Sequence, residues 1–493
     1  MDSGPARAPR WRSAAHAMGQ MGCGAAVSGL LSAGAAKIIA AVLGPAGVAV
    51  LGTLQQCREA GTVAATLSGQ AALVQGASGL SGSARREFLR TAMCLFGVAT
   101  LAVGLLMVGA PGHVLRAAGL GVERASLIRW LSIPIGLASL YIFLNALVSA
   151  LGAVRASAAL QLAAPGALLL LAYPAALGAS RSHESWFLVL LGFSASVPVL
   201  AAAATLARYR DELKNWMRGP GLWWSRAAAR RFFVLSVALL TTGLVSNWSL
   251  VLVRGRILRA EGLTVTGQFD AAWSIALNLS ALLLASVQAY YLPVLAKAPT
   301  AAERAAHLEG MLRVASPVAA VLIAAVAAFR PLILRLLYSP EFDRAALYLR
   351  WFLPGVYLKA TAWAFAALML SRADTKVFLA AELGAWATFV AGTAALAPWR
   401  SPAESAAISF VLMYAVHFTI SSGYVLLSHG FRWDSWRVWL AGLGMVGATS
   451  AAFWRLTPQQ PLRAQLGWGI AWVLAGSVLL GWLLRRGGSE CAA

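Results

Sequence analysis

From residue 18 onward the chain alternates long apolar runs with short polar breaks. The runs fall at 18–43, 46–80, 91–110, 127–151, 156–178, 186–207, 231–253, 265–295, 311–338, 348–370, 376–397, 403–427, 436–454 and 466–484. Each approaches or exceeds the ~20 residues with which an α-helix crosses a bilayer. None shows the every-second-residue alternation of a barrel strand. The pattern predicts an all-α polytopic membrane protein of about fourteen transmembrane helices. Pro134, Pro165, Pro174, Pro198, Pro317 and Pro354 interrupt several runs, which buried helices tolerate when neighbours satisfy the freed carbonyls.

The longest polar break, from Arg208 to Arg230, separates six spans from the next six. The halves look alike. Each opens with one span, a glycine-bearing turn and then a long span striped with polar residues. The first turn is Leu43-Gly44-Pro45-Ala46-Gly47, and the second is broader, from Arg254 to Gly267. Duplicated bundles with a site between them are a recurring transporter plan. We therefore expect two pseudo-symmetric six-helix lobes around a central cavity. Residues 1–207 form the first lobe, 208–230 a cytoplasmic linker and 231–427 the second lobe. Residues 428–493 hold two additional helices and a cytoplasmic tail.

The second span places Gln55, Arg58, Thr62, Thr66 and Gln70 at steps of three and four, on one helical face. The eighth does the same with Asp270, Ser274, Asn278 and, further on, Gln288. Such stripes must face protein or water, so they either bond helices together or line a cavity. Ionisable residues inside spans are sharper signals. Lys359 sits mid-span, where a lysine costs ~2.5–3.5 kcal/mol unless it meets an anion or water. Lys37 lies about six residues, ~9 Å, from the end of the first span and could also snorkel. Arg254 and Arg256 close the seventh span and suit either substrate or lipid. Glu59, Asp270 and Glu382 could bind a coupling H⁺ or Na⁺, or simply neutralise a neighbouring cation. His417 fits a packing role as well as a proton relay.

Composition sharpens the class. Of 493 residues 59% are hydrophobic and 12% charged, and mean hydropathy is +0.71, which excludes a soluble, disordered or fibrous chain. The net charge of +22 would suggest nucleic acid in a soluble protein. Here topology and anionic headgroups account for it, so no nucleic-acid partner is expected. With the N-terminus inside, alternate breaks hold 23 Lys and Arg against 14, which favours both termini in the cytoplasm. The four cysteines form no C-x-x-C pair, so neither a disulfide framework, a metal site nor a cofactor is expected. No P-loop and no H-E-x-x-H motif occurs, and no break is long enough for a soluble active site, so no enzyme is expected.

The run Lys37-Ile38-Ile39-Ala40-Ala41-Val42-Leu43-Gly44-Pro45-Ala46-Gly47 resembles the first-span signature of bacterial polysaccharide-precursor flippases. Gly267-Gln268-Phe269, Tyr291-Leu292-Pro293-Val294-Leu295, Pro340-Glu341-Phe342, Phe352 to Lys359 and Ala380-Ala381-Glu382-Leu383 follow in the same order. Over residues 18–430 the chain is most similar to the O-antigen and enterobacterial-common-antigen translocases (Wzx type). Their superfamily also holds multidrug antiporters and lipid II flippases. The resemblance implies translocation of undecaprenyl-diphosphate-linked oligosaccharide across the inner membrane for lipopolysaccharide and other surface polysaccharide biosynthesis. It also implies possible association with glycan polymerase machinery, and basic, basic and acidic roles at Lys37, Lys359 and Glu382. The chain departs from the usual twelve spans in its final pair, and also in Arg58-Glu59.

Alternating access between the lobes would carry the headgroup through a polar vestibule while the prenyl tail stays in lipid. In this reading Lys37, Arg58 and Lys359 hold the diphosphate, Arg254 and Arg256 assist, and Gln55, Gln70 and Asn278 meet sugar hydroxyls. A cation-coupled drug or metabolite exporter of the same superfamily is the competing reading. A membrane glycosyltransferase, polymerase or ligase would need a long periplasmic loop, whereas the longest break is assigned to the cytoplasm.

Overall fold

The computed structural model describes residues 11–181, 183–219, 222–286, 292–372, 374–428, 431–455, 467–478 and 481. They are helical throughout, with no strand among the described residues. The first half of the chain runs α1 (Trp11–Thr66), α2 (Gln70–Gly79), α3 (Gly82–Gly109), α4 (Pro111–Ala118), α5 (Ala125–Trp130) and α6 (Ser132–Ala150), then α7 (Val154–Leu160), α8 (Ala163–Ser180), α9 (Trp186–Ala207) and α10 (Arg210–Met217). The second half runs α11 (Arg226–Ser286), α12 (Leu292–Lys297), α13 (Ala301–Leu337), α14 (Ala345–Ser371), α15 (Thr375–Leu396), α16 (Pro402–Ser428) and α17 (Trp436–Arg455). A short apolar helix, α18 (Gly467–Val478), follows. Residues 1–10 and most of the tail lie outside the described residues, as do Gln288 and Tyr291.

Among the described residues, ten helical stretches are long and apolar enough to cross a membrane. Two of them contain two crossings. The 56 residues of α1 would span ~84 Å if straight, far beyond a ~30 Å hydrocarbon layer. The helix breaks at Gly44 (φ 62°, ψ −166°). Its counterpart α11, with 61 residues, breaks at Gly262 (φ 79°, ψ −179°). Positive φ with extended ψ is a region that only glycine enters cheaply, so one residue reverses the chain in each half. The second turn is therefore as tight as the first. The expected break from Arg254 to Gly267 is instead helical on both sides of Gly262, with Arg254 and Thr266 buried and Arg256 and Arg259 exposed.

The two broken helices pack on each other and mix the halves at the centre. Ala40 joins a core with Phe269, Trp273, Phe352, Phe389 and Phe410. In exchange Val251 and Leu258 join one with Leu54, Ile128 and Leu190. The first of these cores is aromatic: Trp273 lies 5.3 Å from Phe410 and 5.5 Å from Phe352, both edge-on, a geometry worth about 0.5–1.5 kcal/mol per pair beyond area. Leu170, Leu200 and Leu336 point outward and stay exposed, as expected of lipid-facing positions. The segment after α9 is clamped to α3. Arg90 donates to the carbonyls of Met217 (2.8 Å) and Gly219 (3.1 Å), and Arg85 covers the Trp216 ring at 4.5 Å. Among the described residues α17 packs on α13 and α14 of the second half. There Tyr357 donates its hydroxyl to the Trp439 carbonyl (2.9 Å) and Phe418 stacks on Trp439 at 4.8 Å.

Candidate functional site

A cavity of about 400 Å³ opens where the segments of α1 and α11 beyond their glycine turns face each other. The stripe on α1 supplies Gln55 and Arg58, with Glu59 beside it; that on α11 supplies Asp270, Ser274 and Asn278, with Arg254 reaching in from before the turn. Gln56, one residue along, donates to Asn247 Oδ1 at 3.0 Å and ties the two helices together at the cavity wall.

Arg254 and Asp270 form a buried ion pair across the Gly262 turn, their side chains 8% and 9% exposed. The pair rests on Gly52: a Cβ there would lie 2.5 Å from Arg254 Nη2 and 2.8 Å from Asp270 Oδ2. The pair is not saturated. Arg254 Nε and Asp270 Oδ1 are buried with no hydrogen-bond partner among the described residues. Arg58 and Glu59 enter the cavity lining without an ion pair to any described residue; Glu59 is exposed and Arg58 half-buried. Two guanidinium groups and two carboxylates therefore cancel in formal charge, and only one of the possible pairs is made.

The other expected residues lie elsewhere. Lys37 caps the end of α13: its Nζ donates to the Arg335 carbonyl at 2.7 Å and to the Tyr338 carbonyl, joining the first half of the chain to the second at the glycine-turn end. At the same end Gln268 donates to the Glu341 carbonyl (3.1 Å). Lys359 projects between α14 and α16, 5.4 Å from the centre of the Tyr414 ring. Near it the Glu382 carboxylate lies 3.1 Å from His417 Nε2, and His417 lies under the Trp363 ring. These residues form a second polar cluster, inside the second half of the chain. Gln70 begins α2 beyond a break at Leu67 and Ser68, both at positive φ, and is exposed. Thr62 and Thr66 donate at 2.8 Å to carbonyls four residues back in their own helix. The stripe thus stops serving the cavity one turn after Arg58. Arg256 lines a separate cleft with Arg259.

Three contributors were not legible as site residues. Pro165 of α8 and Ser194 of α9 line the cavity from runs without a polar stripe, and Tyr338 closes it from the end of α13. Trp273, next to Ser274 in sequence, also lines the cavity.

No family model matches the chain, and no curated protein matches it by sequence. Among solved structures, a lipid II flippase MurJ in an inward closed conformation superposes with a TM-score of 0.69 at 14% identity, covering 94% of this chain and 97% of that one. An inward-facing multidrug resistance MATE transporter of the MOP superfamily gives 0.68 at 14% identity, covering 86% and 96%. The fold is that of MOP-superfamily transporters. An outward-facing MATE transporter of that superfamily scores lower, 0.58 at 14% identity, over 89% of this chain and 96% of that one. At this identity the likeness speaks to fold alone.

Proposed function

We propose that the chain flips an undecaprenyl-diphosphate-linked oligosaccharide across the bacterial inner membrane by alternating access, with the cavity between α1 and α11 as the headgroup's waypoint. The observation that carries this reading is Arg58. A half-buried guanidinium lining a cavity of about 400 Å³, with no ion pair to any described residue, is costly unless an anion visits it. A phosphate offers two oxygens to its planar fork. Gln55 and Asn278 supply donors and acceptors for sugar hydroxyls, and the prenyl tail stays in lipid beside the bundle. Arg254 joins the diphosphate when Asp270 yields it, and Asp270 or Glu59 then serves a coupling H⁺ or Na⁺. Lys37 keeps the glycine-turn end closed in this state. Lys359 and Glu382 act as a charge cluster inside the second lobe rather than on the diphosphate.

Reconstitution into liposomes with a fluorescent lipid-diphosphate sugar tests the reading. Arg58→Gln is expected to slow translocation about tenfold or more, the loss of ~1.4 kcal/mol of anion binding, at unchanged membrane abundance. Wild-type rates in that variant would remove Arg58 and the proposal with it. The cancelled charge of the cavity favours a second reading, a cation-coupled exporter of an organic cation held by Glu59. Hypersensitivity of a deletion strain to cationic drugs, with normal surface glycan, would select it.

A further inference from the structure

We propose that the cleft between α11 and α15 binds an anionic glycerophospholipid, with the headgroup phosphate on Arg256 and Arg259 and an acyl chain along Leu252, Val253 and Val390. The cleft encloses about 620 Å³ and is lined by these residues with Ala260 and Thr393. It is distinct from the central cavity. Residues two apart on a helix point about 200° from each other, so Arg254 turns inward to Asp270 while Arg256 turns out.

Depth orders the lining as a lipid would require. Arg259 and Arg256 lie three and six residues before Gly262, ~4.5 and ~9 Å of helix rise below the turn. Leu252 lies ten residues before it, ~15 Å down, at hydrocarbon depth, and is 46% exposed. On the facing helix Thr393 is buried three residues from the end of α15, with Val390 one turn deeper. The cleft is thus basic at its rim and apolar beneath.

The rim cations are available. Arg256 is exposed and makes no ion pair or hydrogen bond with a described residue. Arg259 donates one N–H to the Arg116 carbonyl, which fixes its guanidinium at the rim with its remaining donors free. Spaced three apart, the two arginines share a helix face. The nearest carboxylate in sequence, Glu261, accepts from the Ala403 amide at 2.7 Å and neutralises neither. Two guanidinium forks match a phosphate monoanion, and the apolar wall below rewards a tethered chain, which inorganic phosphate lacks.

Native mass spectrometry of the full-length protein in detergent, titrated with phosphatidylglycerol or phosphatidylcholine, tests this. Wild type is expected to retain phosphatidylglycerol with about a tenfold preference, the ~1.4 kcal/mol scale of one charge-assisted contact. The Arg256→Gln/Arg259→Gln double variant should lose that preference, and Arg208→Gln, an exposed cation outside the cleft, should keep it. An unchanged melting temperature shows that the double variant is folded, since both side chains are exposed. Equal retention by wild type and double variant overturns the site. Displacement of the lipid by millimolar inorganic phosphate overturns its assignment to a lipid.

Discussion

At the scale of single residues, the centre of the molecule is governed by what each charge lacks. Arg254 and Asp270 hold each other, so removing one strands the other. Arg254→Gln or Asp270→Asn alone is expected to cost about 3–5 kcal/mol, whereas the double replacement Arg254→Met/Asp270→Leu should recover most of that stability. Thermal unfolding in detergent, followed by size-exclusion chromatography, reads the difference. A double-variant loss equal to the sum of the two single losses would mean that the pair is not coupled. Gly52 has a matching role through size: in Gly52→Ala the added Cβ meets both members of the pair at 2.5 and 2.8 Å. Its melting temperature should fall, and the loss should shrink when Asp270 is also replaced by Ala, because one of the two crowded atoms is then gone and the Arg254 side chain is free to shift. Arg58 differs in kind. It supports no neighbour, so its replacement should spare stability and reduce only transport.

At the scale of elements, α1 and α11 matter because one glycine in each turns a rod into two crossings. Gly262→Ala forces a side chain into backbone space that glycine alone occupies freely and is expected to cost about 1–3 kcal/mol, measured as lost folded yield and melting temperature. The end of α13 carries the complementary prediction. A lysine on the free carbonyls of a helix C-terminus gains from both hydrogen bonding and the helix dipole. Lys37→Gln therefore removes about 1.5–3 kcal/mol of closure at the glycine-turn end. A single cysteine at Ser274, in a background stripped of native cysteines, should then react about tenfold faster with an impermeant maleimide added from the periplasmic side. An unchanged rate would show that Lys37 does not hold the closed form. The stripe on α1 was readable as one face over Gln55, Arg58 and Thr62. It ended where Leu67 and Ser68 adopt positive φ, a backbone event that side-chain periodicity does not encode.

At the scale of the whole molecule, the excess of Lys and Arg in alternate breaks sets the expected orientation. A reporter active only in the periplasm should report when inserted at 398–401 and stay silent within 210–217; the reverse would invert every statement about sides. The aromatic attachment of α17 to Tyr357 and Phe418 gives the last helices to the second half of the chain. Motion between the halves should carry them along, so a label pair on α13 and α17 should keep its distance while one on α1 and α13 changes.

The sequence by itself determined the membrane class, the long apolar helices, the Gly44 turn and the polar faces that carry Arg58 on α1 and Asp270 on α11. These follow from local quantities: the length of apolar runs, a period of 3.6 and the conformational freedom of glycine. Only the tertiary structure decided which ionisable residues share a space. Lys37 and Lys359 lie inside apolar runs as Arg58 does, and Arg256 lies at the end of one. Yet one caps a helix from the other half, one faces Tyr414 and one faces outward. Partners some 50 to 300 residues apart in sequence made that choice, and the energy of a buried charge depends on the group beside it in space, not along the chain.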